Sequence, residues 1–108
     1  MVSAYQVRGL ARIQQNNFAG AIEDYTKALE FDPENIGVWH NMALCRIRQE
    51  DYKGAKNDLD KLIAISPRYT KAYLMRGEVD LKQKDTLAAE KDFGKAIEID
   101  RYDADTWA

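Results

Sequence analysis

His40 and Cys45 are the chain's one histidine and one cysteine, and they stand five residues apart. On a helix that spacing points the two side chains to different faces, so they form no nucleophile–base pair. A lone cysteine also excludes an internal disulfide and a cysteine-based zinc site. The acidic clusters Glu23-Asp24 and Asp58-Asp60 read as a solvated outer face rather than an acid–base dyad. Gly20 and Gly54 are isolated, with no glycine-rich loop to cradle a phosphate. Catalysis, a metal and a cofactor are therefore not expected. His40 reads as a hydrogen-bonding group rather than a ligand or base, and Cys45 as a small buried residue beside Ala43 and Leu44.

The residues that organise the chain are aromatic. Tyr5, Trp39, Tyr73 and Trp107 recur every 34 residues. Gly9, Ala43 and Gly77 follow them in step, then Ala21, Ala55 and Ala89, then Tyr25, Leu59 and Phe93, then Ala28, Leu62 and Ala96. Pro33 and Pro67 close the first two units, and Arg101 stands in the third, where the turn is less sharply specified. A period of this length means a stack of one supersecondary unit, whose function lies in a surface built by several copies.

Within each unit the apolar spacing is helical. Residues 2–15 carry Tyr5, Gly9 and Ile13 at four-residue steps, and a second helix runs through Ala21 and Tyr25 to about Phe31. Polar breaks at Asn16-Asn17, Glu50-Asp51 and Lys84-Asp85 separate the two. Asn17, Asp51 and Asp85 fit the N-cap of each second helix, at about 1 kcal/mol apiece. Gly9, Ala43 and Gly77 leave room for a neighbouring ring to approach the backbone, a packing reason for a residue that costs up to ~1 kcal/mol inside a helix.

This pattern resembles the tetratricopeptide repeat, whose signature is a Trp, Leu-Gly, a Tyr, an Ala, a Phe and a closing Pro. The first unit reads Tyr5, Arg8-Gly9, Ala21, Tyr25, Ala28, Pro33, and the second Trp39, Met42-Ala43, Ala55, Leu59, Leu62, Pro67. The third reads Tyr73, Arg76-Gly77, Ala89, Phe93 and Ala96. Arg8 and Arg76 take the usual Leu position, and Arg12, Arg46 and Asp80 the usual Tyr position; arginine stems cover apolar surface while the head reaches water or an acidic neighbour. The resemblance implies an all-α, right-handed solenoid of antiparallel helix pairs in a single array. Its repeats fall at 2–35, 36–69 and 70–103, with the start of a fourth repeat or a capping helix at 104–108.

The resemblance also implies where a partner sits. First helices of successive repeats line a concave groove that binds peptide segments, which here places Gln6, Leu10, Ile13, His40, Asn41, Leu44, Ile47, Arg48, Lys71, Leu74, Met75 and Lys82 in it. Ile13, Ile47 and Leu81 could equally complete the core between adjacent first helices. One variant of the family clamps a chaperone's C-terminal carboxylates with Lys, Asn and Arg. Asn41 and Lys71 match it, whereas Gln6, Leu10 and Met75 replace the other three, leaving too little positive charge for two carboxylates.

Charge narrows the partner class. The 108 residues are 45% apolar and 31% charged, with 16 basic against 18 acidic, net −2. That balance draws in neither nucleic acid nor an anionic membrane, so an RNA-reading helical repeat is the remote alternative. No apolar run is long enough to span a bilayer, and Arg8 and Arg12 interrupt any signal-peptide layout, so a soluble chain is expected, with the cytoplasm favoured and the compartment itself not readable. The reading is a non-catalytic protein–protein interaction module or scaffold, part of a longer array, that binds a protein or peptide. The alternative is a structural spacer or a segment that self-associates end to end through Phe93, Ala96, Ile97 and Ile99, left partly uncovered on the last full helix.

Overall fold

The computed structural model describes residues 2–107, with side chains for 2–101. Six helices and no strand occur among the described residues: α1 (Val2–Gln14), α2 (Phe18–Phe31), α3 (Ile36–Arg48), α4 (Tyr52–Ile65), α5 (Thr70–Lys82) and α6 (Thr86–Trp107). Each pairs most closely within a hairpin, α1 with α2, α3 with α4, α5 with α6, and each second helix then packs on the next first helix. The result is the all-α solenoid expected from the period.

The turn inside each hairpin is one device used three times. Asn16, Glu50 and Lys84 take φ values of 61°, 62° and 63°, the left-handed conformation that closes a helix. The next amide then donates back to the helix, Asn17 to Arg12 O, Asp51 to Arg46 O and Asp85 to Asp80 O, each at 2.8 Å. The same three residues open the second helix. Asn17 Oδ1 accepts from Gly20 N at 3.1 Å, Asp51 Oδ1 from Gly54 N at 3.0 Å and Asp85 Oδ1 from Ala88 N at 3.2 Å. All three expected caps are made.

Between hairpins the periodic aromatic is tied to the proline turn. Trp39 Nε1 donates to Pro33 O at 2.8 Å, and Tyr73 Oη donates to Pro67 O at 2.7 Å. Each ring thus covers apolar neighbours while its polar end satisfies a carbonyl that no helix can use. Arg101 offers no such stop, and α6 runs on unbroken to Trp107. Residues 104–107, expected as the start of a fourth repeat or a capping helix, form the last part of this helix. The side chain of Trp107 lies outside the described residues. Ala96 and Ile99 are buried against Tyr73 rather than uncovered, which leaves Ile97, 66% exposed, as the open position.

Ring-on-backbone packing sets the hairpin spacing. A Cβ added at Gly9 would stand 2.9 Å from Tyr25 Cε1, and one at Gly77 would stand 2.7 Å from Phe93 Cε1. The second unit uses the other solution, with Ala43 and Leu59 both fully buried in one cluster. A smaller partner side chain admits the extra methyl.

The acidic clusters correct the reading of a solvated face. Asp24, Asp58 and Asp92, one period apart, are 1%, 6% and 6% exposed. Arg8 Nη2 meets Asp24 Oδ1 at 2.7 Å and Arg12 Nη1 meets Oδ2 at 3.2 Å. Arg46 Nε reaches Asp58 Oδ2 at 2.7 Å, and Arg76 Nη2 reaches Asp92 Oδ1 at 2.7 Å. Inward-facing carboxylates are tolerable because arginine from the first helix matches them. In the third unit Asp80 takes the place of Arg12 and Arg46 and is fully buried beside Asp92. Its carboxylate has no hydrogen-bond partner, and the charge it meets is Lys56 Nζ at 3.3 Å, across from α4. Burial, then the neighbouring Asp92, push the Asp80 carboxyl up to about 6, against the pull of Lys56.

These contacts give three tests. Gly77→Leu overpacks Phe93 and should cost ~1–3 kcal/mol or more in urea unfolding; an unchanged midpoint contradicts the packing. Gly77→Ala should cost far less in a Phe93→Leu background, which recreates the Ala43–Leu59 pair, with coupling of about 0.5–3 kcal/mol in a double-mutant cycle. The Asp80 test concerns pH. The folded carboxyl holds its proton up to about 6, whereas an unfolded aspartate releases it near the ordinary 3.8. The stability this group contributes is therefore lost as pH rises through 6 and regained as pH falls. Asp80→Asn should melt above wild type at pH 8, and the gap should narrow as pH falls below 6 and close only below about 3.8.

Candidate functional site

α3 and α5 lie side by side and enclose a cleft of about 460 Å³. Leu44 and Ile47 from α3 and Leu74 and Met75 from α5 supply its apolar lining. His40, Arg48, Lys71 and Glu78 supply the polar groups. The helical period explains the set: Leu44, Ile47 and Arg48 follow His40 in steps of four, three and one, and on α5 Leu74, Met75 and Glu78 follow Lys71 in steps of three, one and three, so each group shares one face of its helix. Two cations face one carboxylate, so the cleft carries positive character on a chain of net negative charge.

Seven residues expected in the groove therefore meet around one cleft. The other five stand elsewhere. Gln6 is half-buried on α1, its Nε2 4.0 Å from where a Gly37 Cβ would sit. Leu10 is 49% exposed on the same helix. Ile13 packs, partly buried, against the first core cluster. Ile47 does both, lining the cleft and packing on the second core cluster, whereas Leu81 is 50% exposed and belongs to neither. Lys82 is exposed at the end of α5 outside the cleft.

Asn41 departs from expectation most. It is half-buried and lies close enough to the Tyr25 phenol to act on it. Burial pushes that phenol up to about 12, and Asn41 pulls it partly back, although no hydrogen bond forms within normal distance. One of the two residues matching the chaperone clamp thus stands beside the Tyr25 phenol, half-buried.

His40 is held by a residue the sequence reading passed over. Tyr69 Oη and His40 Nδ1 share a hydrogen bond of 2.9 Å, with the rings tilted by 60°. Tyr69 occupies the N-cap position of α5, where Asn35 caps α3 through Val38 N at 3.2 Å. Tyr69 makes no such cap bond, so its hydroxyl is available to the imidazole. An aromatic at a cap position was the available signal. Burial, then Lys71, lower the His40 pKa, which keeps the ring neutral at pH 7.

The arrangement suits recognition. Cys45 is fully buried and its thiol is pushed up to about 11 by burial, so it supplies no thiolate for attack or metal ligation. Among the described residues no group of three His, Cys, Asp or Glu could hold a metal ion, and no helix is long and apolar enough to cross a membrane.

Known proteins place this geometry. A TPR repeat profile matches residues 9–45, and a tetratricopeptide repeat profile matches residues 36–69 and 70–103. No curated protein matches in sequence. The first TPR of Spaghetti (RPAP3), solved with the HSP90 peptide SRMEEVD, is similar at TM-score 0.86 and 28% identity, over 91% of this chain and 78% of that one. The first TPR domain of human RPAP3 matches at TM-score 0.85 and 28% identity, over 92% and 78%. MamA shares the fold at TM-score 0.93 and 22% identity, with 96% of this chain and 61% of that one covered. With helix pairs, period and profile matches from residue 9 to 103 in agreement, the chain belongs to the tetratricopeptide-repeat family.

Proposed function

We propose that the cleft between α3 and α5 binds an extended segment of a partner protein, and that the chain works as a non-catalytic interaction module. The observation that carries this reading is the convergence of His40, Leu44, Ile47, Arg48, Lys71, Leu74, Met75 and Glu78 on one cleft of about 460 Å³. Aliphatic sockets with a few polar groups at the edge suit capture of a peptide. Leu44, Leu74 and Met75 would take one or two apolar side chains. Lys71 and Arg48 would take a single carboxylate beside them. The RPAP3 domain was solved with a peptide ending in EEVD. Here neutral Gln6, Leu10 and Met75 favour a mainly apolar segment with one acid instead.

The test is selection from a displayed peptide library, followed by titration of the enriched peptides. Sequences with aliphatic residues next to one Asp or Glu should be enriched. Lys71→Ala should weaken their binding about tenfold, the worth of one charge-assisted contact. Leu74→Asp should abolish it. Peptides that bind wild type and Leu74→Asp equally would remove the cleft from consideration. The same lining makes a prediction for His40. Its pKa, followed by NMR, should lie below 6.5 and rise toward that value in Lys71→Ala, because one of the two groups lowering it is gone.

A further inference from the structure

Tyr69 breaks a local rule of its own helix. Its counterpart one period earlier, Asn35, accepts from Val38 N at 3.2 Å and so caps α3, whereas Tyr69 makes no cap bond on α5. A tyrosine carries no short side-chain acceptor for the free amides of the first turn. Its ring packs instead on the second core cluster, and its hydroxyl reaches back to α3, where it meets His40 Nδ1 at 2.9 Å. A residue that gives up a cap for a polar contact with another helix points to a site rather than to local stability.

The direction of that bond follows from the two groups. An imidazole nitrogen with a free lone pair is a better acceptor than a phenol oxygen. The phenol also carries a proton for which the described residues offer no other acceptor. With the ring neutral, the hydroxyl donates to Nδ1, and the one ring proton then sits on Nε2. The reverse arrangement would leave the proton of a half-buried phenol unpaired. Nε2 makes no hydrogen bond among the described residues, yet it is not sealed from solvent. The space it opens on is the cleft that His40 lines, and Tyr69 itself is not part of that lining.

We propose that Tyr69 is a positioning residue: it holds His40 as the Nε2–H tautomer, so that the ring donates to a main-chain carbonyl of the segment bound between α3 and α5. This rests on the cleft being the binding site. Lys71 and Arg48 answer charged acceptors with full charges, whereas a neutral N–H suits a neutral acceptor. An extended segment presents such a carbonyl at every residue, between side chains that point to alternate sides. Leu44 follows His40 by four residues and Leu74 follows Lys71 by three, so donor and aliphatic sockets share the cleft faces of the two helices. A segment seated on Leu44 and Leu74 therefore carries its main chain past the ring. That contact reads no side chain. It sets the register, and so decides which residues of the segment fall on Leu74 and on Lys71. Gln6 and Leu74 hold the His40 position in the first and third units, so the device occurs once in the three.

His40 is the chain's one histidine, so its ring nitrogens can be followed by long-range proton–nitrogen NMR on the free protein at pH 8 without assignment. Nε2 should appear protonated and Nδ1 unprotonated. Tyr69→Phe keeps the packing ring and removes the hydroxyl. Its two nitrogen shifts should move toward each other as the tautomers mix, with circular dichroism and melting temperature close to wild type. The same variant should bind the peptides enriched on wild type roughly two- to tenfold more weakly, the worth of one neutral hydrogen bond. His40→Gln offers an amide N–H near the Nε2 position with no tautomer to choose. It should bind near wild type and make Tyr69→Phe silent. A proton on Nδ1 in wild type overturns the proposal, as does a Tyr69→Phe variant that leaves either tautomer or affinity unchanged. So does an equal loss from Tyr69→Phe in the His40→Gln background. Those three results leave the cleft standing, whereas peptides that bind wild type and Leu74→Asp equally remove the cleft and the donor's role with it.

Discussion

The approach of an aromatic ring to bare backbone is the contact on which the rest depends. Tyr25 sits over Gly9 and Phe93 over Gly77 at distances that exclude a methyl group. That closeness brings the first helix of each hairpin within reach of a buried row of aspartates on the second. The middle unit reaches the same end with Ala43 and Leu59, moving volume from ring to methyl. Interiors packed to this density respond to single methyl groups, so unit geometry follows from a few small residues.

Electrostatics completes the hairpins and links them. A buried carboxylate is costly unless matched, and Asp24, Asp58 and Asp92 are each matched by arginine from the paired helix. The third unit breaks the pattern with Asp80, whose charge is met from the neighbouring hairpin by Lys56. Together with Arg76 bonding both Asp60 and Asp92, this ties the second unit to the third. α3 and α5, which form the cleft, are thereby fixed relative to one another by contacts on the opposite side of α5. A cleft between helices held this way is preorganised, which would limit the ordering cost of any binding there.

Much of the fold was legible because its determinants are local or periodic. The hairpin turns, the caps at Asn17, Asp51 and Asp85, and the small residues under the rings can each be read within one unit. The aspartate row was misread because neighbouring carboxylates such as Asp58 and Asp60 look alike in sequence but face opposite ways. Asp58 is 6% exposed, and the side chain of Asp60 is 52% exposed. Their arginine partners lie 12 to 16 residues away, outside any local pattern. The shared period of Asp24, Asp58 and Asp92 was the usable signal. In the groove, helical spacing put His40, Leu44, Lys71 and Leu74 on one side, but did not show that Asn41 lies beside the Tyr25 phenol. That depends on a phenol from another helix. The unbroken α6 was foreshadowed by Arg101 in the proline position.

The proposed role of the cleft between α3 and α5 is tested most directly by an NMR map of where a selected peptide lands. Amide and methyl shifts should change at His40, Leu44, Ile47, Lys71, Leu74 and Met75 and leave α2, α4 and the outer face of α6 undisturbed. Shifts concentrated on those second helices, with the cleft silent, would contradict it.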